Sequence, residues 1–190
     1  MALRILTVCT ANVCRSPMAA AFAQYHLEAN GIDALVTSAG THGGGVLVDP
    51  EAVTVMAERG LDISANSPRL LDRMILAEDG ADLVLAMTRV HLQHIAVMGS
   101  GVFRRSFTAK ELARRTHQVR CEPGLDPPTF AAWRDAVGDG RMAKDLMGVD
   151  PADDIADPFG KSLTEHRRTA DDLDALTAVI ARSIAAWVVS

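Results

Sequence analysis

The chain has 190 residues, 48% of them hydrophobic, and a formal net charge of −5 at pH 7. That length builds one packed domain and is short for two. The acidic balance excludes the basic footprint of a nucleic-acid binder. Three of its basic residues (Lys110, Lys144 and Lys161) are lysines and all the others arginines, a compositional habit rather than a site. The opening MALRILTVCTANVC has too short an apolar run for a secretory signal. ALTAVIARSIAAWVVS, broken by Arg182, is too short to span a bilayer. An odd cysteine count gives no disulfide framework, so the expectation is a cytoplasmic protein with no membrane partner.

Over the first two-thirds, short β-branched runs alternate with amphipathic stretches, the pattern of a parallel α/β sheet. Leu3 to Val8 reads as a buried strand. Pro17 to Ala29 reads as a helix with Met18, Phe22 and Tyr25 on one face, Ser16 as N-cap and Asn30-Gly31 as its stop. Leu35 to Ala39 is a second strand, and Pro50 to Arg59 a helix closed by Gly60. LLDRMILAE (70–78) is predicted to be a further helix, with Leu71, Met74, Ile75 and Glu78 at helical spacing. ADLVLAM (81–87) is the third strand, and Thr88 caps a helix through Met98. GVFRRSF (101–107) is expected to form the fourth strand, followed by a helix over Thr108 to Thr116. From Arg120 to Pro151 the texture turns to Pro, Gly and Asp around one short helix, which reads as a lengthened loop within 117–150. A long final helix buries Leu173, Leu176, Ile180, Ile184 and Trp187. The fold expected is a single three-layer α/β domain over 1–190, with a small, about four-stranded parallel sheet and helices on both faces.

VCTANVCRSP (8–17) carries the chemistry. Cys9 follows the first strand directly, at the carboxyl end where open α/β sheets bind ligands. Ser16-Pro17 is a helix-start signal. Thr10, Ala11, Asn12, Val13, Cys14 and Arg15 therefore bridge strand end to helix start, where successive amides form a nest for an anion. Amides and a cation around a sulfur favour its thiolate form, and the Arg15 fork fits two phosphate oxygens. The stretch reads as an oxyanion cradle with its own nucleophile, Cys9, suited to in-line attack on phosphorus. Such a reaction needs a proton donor for the leaving group. Asp126, Asp150 and Asp157 all precede a proline, and position alone leaves the choice among them open.

The other signals read as structural. His91 and His94, three apart on a helix, have no third ligand nearby and read as solvated or half-buried histidines rather than a metal site. The glycines of Gly40 to Gly45 lack the dinucleotide spacing. The arginine pairs at 104–105 and 114–115 read as a solvated face, and Cys121 stands alone. No metal or organic cofactor is implied.

These residues resemble the low-molecular-weight protein tyrosine phosphatases over most of the chain. VCTANVCRSPMA is similar to that family's phosphate loop, TSAGT to its second strand end, and GLDIS and PRLL to the segment after its second helix. DLVLAMTRVHLQHI is similar to its third strand and helix, and DIADPFG to its acid loop. Thr116 to Asp150 has no obvious counterpart. The resemblance implies Cys9 as nucleophile, Arg15 as phosphate ligand, and Ser16 as hydrogen-bond partner of the sulfur. It further implies Asn12 in an unusual backbone conformation, Asp157 as general acid and base, and Phe159 as a pocket wall. Cys14 matches the loop cysteine that forms a reversible disulfide with the nucleophile, a protection against over-oxidation.

Four positions depart from the family pattern. Ala11 replaces a glycine, Ala20 a glutamate, and Asn66 a histidine that braces the loop through Asn12 and Ser16. THGGGV lacks the aromatic that walls the pocket opposite Phe159. Val13 resembles the tyrosine-directed members, whereas members acting on phosphoarginine carry threonine. The substrate implied is a phosphorylated protein or peptide, with phosphotyrosine ahead of phosphoarginine. The rival readings are an arsenate reductase on the same scaffold, for which Cys121 is the only spare thiol, and a catalytically weak phospho-binding module.

Overall fold

β1 (Leu3–Cys9) is a short, almost wholly apolar strand, and it pairs in parallel on both sides. β2 (Ala34–Gly40) lies along one edge and β3 (Leu83–Ala86) along the other; β4 (Ser106–Thr108) completes the order β2-β1-β3-β4. Leu3 stands opposite Ala34 and Cys9 opposite Gly40; Ile5 stands opposite Leu83, and Ala86 opposite Thr108. The computed structural model describes residues 2–43, 47–77, 80–99, 101–119, 129–142, 144, 148 and 150–188.

Both faces of the sheet are covered, as continuous apolar strands require. On one face Ile5, Leu83, Leu85 and Phe107 pack against α1 (Arg15–Ala29), α2 (Pro50–Ala57), α4 (Ala109–Thr116), α5 (Phe130–Gly138) and α6 (Leu163–Val188). On the other, Leu6, Val8, Val84 and Ala86 meet Leu92 and Ile95 of α3 (Arg89–Met98), together with Leu71, Leu76 and Val102. The expected three-layer α/β arrangement is therefore the one observed. Among the described residues no helix is long and apolar enough to cross a membrane.

Several local expectations are corrected. Residues 70–77 form turns, not a helix. The Asp72 carboxylate accepts from Ile75 N–H at 2.8 Å as a cap would, but only one turn follows it, and Met74 is exposed. Glu78 lies outside the described residues. Val102–Arg105 is a single 3₁₀ turn entered through left-handed Gly101, which leaves only Ser106–Thr108 as strand. Arg105 is buried rather than solvated: its guanidinium donates to the carbonyls of Leu76, Ala77 and Ala81. Arg114 and Arg115 are likewise engaged, with Asp153 and Glu111. Tyr25 is exposed, and Leu176 only half-buried, with Thr177 taking the inward place on α6.

The stretch expected as a lengthened loop contributes to the core. Thr129 caps α5 by accepting from Ala132 N–H, and Trp133 is fully buried, its indole N–H donating to Ser183 Oγ of α6 at 3.0 Å. Cys121 lies outside the described residues. Truncation of a buried tryptophan costs about 3–5 kcal/mol, whereas a surface-loop change stays within about 0.5 kcal/mol. Trp133→Ala is expected to lower the urea midpoint by the larger amount, with an unchanged denaturant slope.

Candidate active site

The carboxyl end of β1 delivers Cys9 into a loop held from three directions. Thr41 N–H donates to Cys9 O and His42 N–H to Thr10 O, both at 2.9 Å, so the chain after β2 runs alongside the loop. The approach is close: a Cβ on Gly40 would meet Thr10 O at 2.7 Å and Ala11 C at 2.9 Å, so this position requires glycine. Behind the loop, Asp49 N–H donates to Val13 O at 3.1 Å.

Asn12 is the one non-glycine residue with positive φ among the described residues, at 59°. A left-handed residue amid right-handed ones turns successive N–H groups toward one side, the geometry of an anion nest. Ala11 has ordinary φ, so a Cβ is tolerated there although the related loops carry glycine. The Asn12 side chain fixes the conformation. Its amide donates to Ser16 Oγ at 2.9 Å and Ser38 Oγ at 2.7 Å, and its oxygen accepts from Arg69 N–H at 3.1 Å. Ser38 in turn donates to Asn66 Oδ1 at 3.1 Å, and Asn66 Nδ2 reaches Asn12 O at 3.5 Å. Asn66 thus braces the loop through Asn12 and Ser38, not through Ser16.

Ser16 is not the helix cap. Cys14 holds the N-cap position without a side-chain bond, α1 begins at Arg15, and Ser16 lies inside the first turn. With its oxygen accepting from Asn12, the Ser16 hydroxyl has one proton to give. Cys9 Sγ lies 3.0 Å away and Ala39 O 3.3 Å. The hydroxyl is thus turned toward the sulfur instead of the helix end.

Arg15 is 5% exposed. Its guanidinium donates to Thr10 Oγ1 at 3.2 Å, Ile155 O at 3.4 Å and Asp157 Oδ2 at 2.5 Å, while its Nε is buried without a partner. The segment carrying Asp157 is pinned to the sheet: Ile155 N–H donates to Met87 O at 2.8 Å, and Lys110 donates to Asp154 O. Burial by itself would raise the Asp153 pKa, but bonds from Arg89 and Arg114 hold it below the ordinary carboxylate value. Of the three aspartates before proline, Asp157 reaches Arg15; Asp150 caps a 3₁₀ turn, and Asp126 lies outside the described residues. Phe159 is largely exposed and Val13 is buried. Cys14 is a free, buried thiol whose pKa is raised by burial first and then by the Asp49 carboxylate.

One residue at the site escaped the sequence reading. His91 is buried, with Nε2 2.9 Å from Thr10 Oγ1 and Nδ1 2.8 Å from Thr88 Oγ1. One ring nitrogen therefore faces the Thr10 hydroxyl that binds Arg15, and the other the cap of its own helix. The available signal was the spacing Thr88-x-x-His91, in which the third helical residue reaches back to the cap. His94 stacks at 6.0 Å on His42 instead, so the two helix histidines do not converge.

A thiol, a buried guanidinium and a loop with one left-handed residue thus meet at the end of a central parallel strand. The sequence profile of the low molecular weight phosphotyrosine protein phosphatases matches residues 4–122, and the chain belongs to that family. A protein-arginine-phosphatase of Bacillus subtilis is 29% identical over 95% of this chain and 95% of its own. The probable low molecular weight protein-tyrosine-phosphatase EpsP of Ralstonia nicotianae is 38% identical over 48% of this chain and 59% of its own. The crystal structure of a low molecular weight protein tyrosine phosphatase from T. tengcongensis superposes with a TM-score of 0.70 at 30% identity, covering 95% of this chain and 99% of that one.

Burial, and then the nearby Arg15 charge, push the His91 pKa from 6.5 down to about 4. The unfolded chain therefore takes up this proton at a higher pH than the folded one. The stability owed to neutral His91 is complete above pH 6.5 and falls as pH drops toward 4. Between neutrality and about pH 5, the wild type is expected to lose about 2 kcal/mol more stability than His91→Gln, measured by urea denaturation at each pH. Equal losses would show that the imidazole is free to protonate in place.

Proposed function

We propose that this protein hydrolyses phosphomonoesters through a cysteinyl-phosphate intermediate, and that its substrate is phosphotyrosine in a protein or peptide. The observation that carries the reading is Arg15: a buried guanidinium with an unpartnered Nε, in the Cys9 loop and paired to one half-exposed carboxylate. A bound phosphate supplies the acceptor that this nitrogen lacks.

In the first step the Cys9 thiolate attacks phosphorus, the S–P bond forms and the P–O bond to the tyrosyl oxygen breaks. Asp157, entering protonated, gives its proton to that oxygen. In the second, the Asp157 carboxylate takes a proton from water as the water oxygen attacks phosphorus, and Cys9 leaves as thiolate. Arg15 and the amides of Thr10, Ala11, Val13 and Cys14 stabilise charge on the three equatorial oxygens. Ser16 supports the departing sulfur; Asn12 and Asn66 keep the loop in shape. Phe159 offers an aryl wall, and Cys14 is the redox partner of Cys9. The reading takes 1–190 as one domain and the protein as cytoplasmic, with the odd cysteine count in support.

A specific observation favours protein-arginine phosphatase as a second reading: the Bacillus subtilis relative of that name matches along nearly its whole length, whereas EpsP matches over about half of this chain. Val13 weighs the other way, since its buried side chain has no group to hydrogen-bond a guanidinium.

Hydrolysis of a simple aryl phosphate is expected to vanish in Cys9→Ser and to fall by about 10²–10⁴-fold in Asp157→Ala. Activity untouched by the cysteine change would end the proposal. With phosphotyrosine, phosphoarginine and phosphoserine peptides, the wild type is expected to prefer phosphotyrosine, and Val13→Thr to move kcat/KM toward phosphoarginine. A wild-type preference for phosphoarginine would establish the second reading.

A further inference from the structure

Next to the phosphate loop, three buried side chains of different chemistry converge. Cys14 holds the N-cap position of α1, Asp49 is the N-cap of α2, and His166 lies in the first turn of α6. One ligand atom from each (Sγ, a carboxylate oxygen and an imidazole nitrogen) lies within 4.8 Å of the other two, and all three residues are buried. The reaction proposed above uses neither Asp49 nor His166.

Two details distinguish this cluster from a chance gathering. His166 Nδ1 lies 3.1 Å from Ser162 O, which directs the other ring nitrogen, Nε2, into the cluster. That Nε2 is buried and makes no hydrogen bond, although Asp49 Oδ1 is 3.1 Å away. Metal-binding histidines are oriented in this way, with the distal N–H held by a carbonyl. A thiolate and an imidazole with a carboxylate select zinc-like ions over magnesium or calcium.

We propose that Cys14, Asp49 and His166 form a binding site for a divalent zinc-class ion. Bonds of about 2.0–2.3 Å to nitrogen, oxygen and sulfur require the three groups to close in by no more than about an ångström. Binding displaces the Cys14 thiol proton and any proton on His166 Nε2 to water. A dication with one thiolate, one carboxylate and a neutral imidazole leaves no net charge in the buried site. Three protein ligands leave a fourth coordination position for a small ligand. The ion ties together the N-terminal ends of three helices, one of which carries Arg15. It also takes the sulfur that a disulfide with Cys9 would need, so metal binding and that disulfide exclude one another. The proposal depends on the placement of these side chains and stands whether or not the phosphatase reading does.

The test uses Co²⁺ as spectroscopic probe in the full-length Cys9→Ser/Cys121→Ser protein, in which Cys14 is the only remaining thiol. One ion per chain is expected to produce a thiolate-to-cobalt charge-transfer band in the near ultraviolet, displaced by Zn²⁺, and His166→Gln in the same background is expected to weaken Co²⁺ binding at least tenfold. Absence of the band, or the same affinity with His166→Gln, would overturn the proposal. Should the histidine variant fail to fold, zinc K-edge absorption of the parent protein decides: one sulfur and at least one imidazole in the coordination shell support the site, and a shell of oxygens alone sinks it.

Discussion

The Asn12 side chain sets the shape on which the site depends. Left-handed backbone is unfavourable for a residue with a Cβ, and asparagine tolerates it better than most. Here the carboxamide is fully engaged: both amide hydrogens go to serines, and the oxygen takes the Arg69 amide. Removing that side chain would take a partner from the two buried serine hydroxyls at about 1–3 kcal/mol each, enough to offset a single unfavourable φ. The loop is held in its anion-binding shape by this network, which also accounts for an ordinary alanine at position 11 next to a strained asparagine.

The strand order makes the network possible. From β1 the chain crosses to β2 on one side, then returns past β1 to β3 on the other, so the crevice opens at the carboxyl end of β1. Several groups that shape the site come from the carboxyl ends of the strands or just beyond them. Ser38 and Gly40 come from β2, Thr88 and His91 from the cap and first turn of α3 just after β3, and Ile155 is hydrogen-bonded to Met87. The acid segment arrives from far along the chain, yet it is seated on β3 by one backbone bond and on α3 and α4 by the Asp153–Arg89–Arg114 cluster. The geometry of the site is thereby linked to the packing of the sheet.

Much of this was legible in the sequence because the strands are continuous apolar runs and the turns carry their own markers. Thr88 and Thr108 cap the helices they precede, and Gly60 takes positive φ where the second helix stops. Legibility ended where long-range contacts override local preference. Ser16 looks like a cap from its neighbours, but its hydroxyl is drawn to Cys9 and Asn12, partners that only the folded loop supplies. LLDRMILAE has helical periodicity, yet only one turn forms there, and Arg105, 29 residues beyond Leu76, binds the carbonyls of Leu76 and Ala77. His91 reads as a surface histidine because nothing local reports that its helix begins beside Thr10. Proline and glycine around α5 hid the burial of Trp133.

The mouth of the site bears on where substrate choice is made. THGGGV supplies no aromatic, and Gly44 to Val46 lie outside the described residues. What stands along that side of the loop is a pair of imidazoles, His42, whose N–H binds Thr10 O, and His94. Imidazole edges are polar and hydrated, so they offer a phenyl ring less apolar contact than a tryptophan or tyrosine face would. Phe159, largely exposed, is the aryl surface that remains. With one apolar wall in place of two, most of the binding energy has to come from the phosphate and from the first atoms attached to it. In the reaction proposed above, discrimination between a phenolic and a guanidino leaving group therefore falls to the loop itself. Val13 is the buried loop residue whose side chain the two proposed substrates weigh differently, and its carbonyl, bonded to Asp49 N–H, fixes the backbone that carries it.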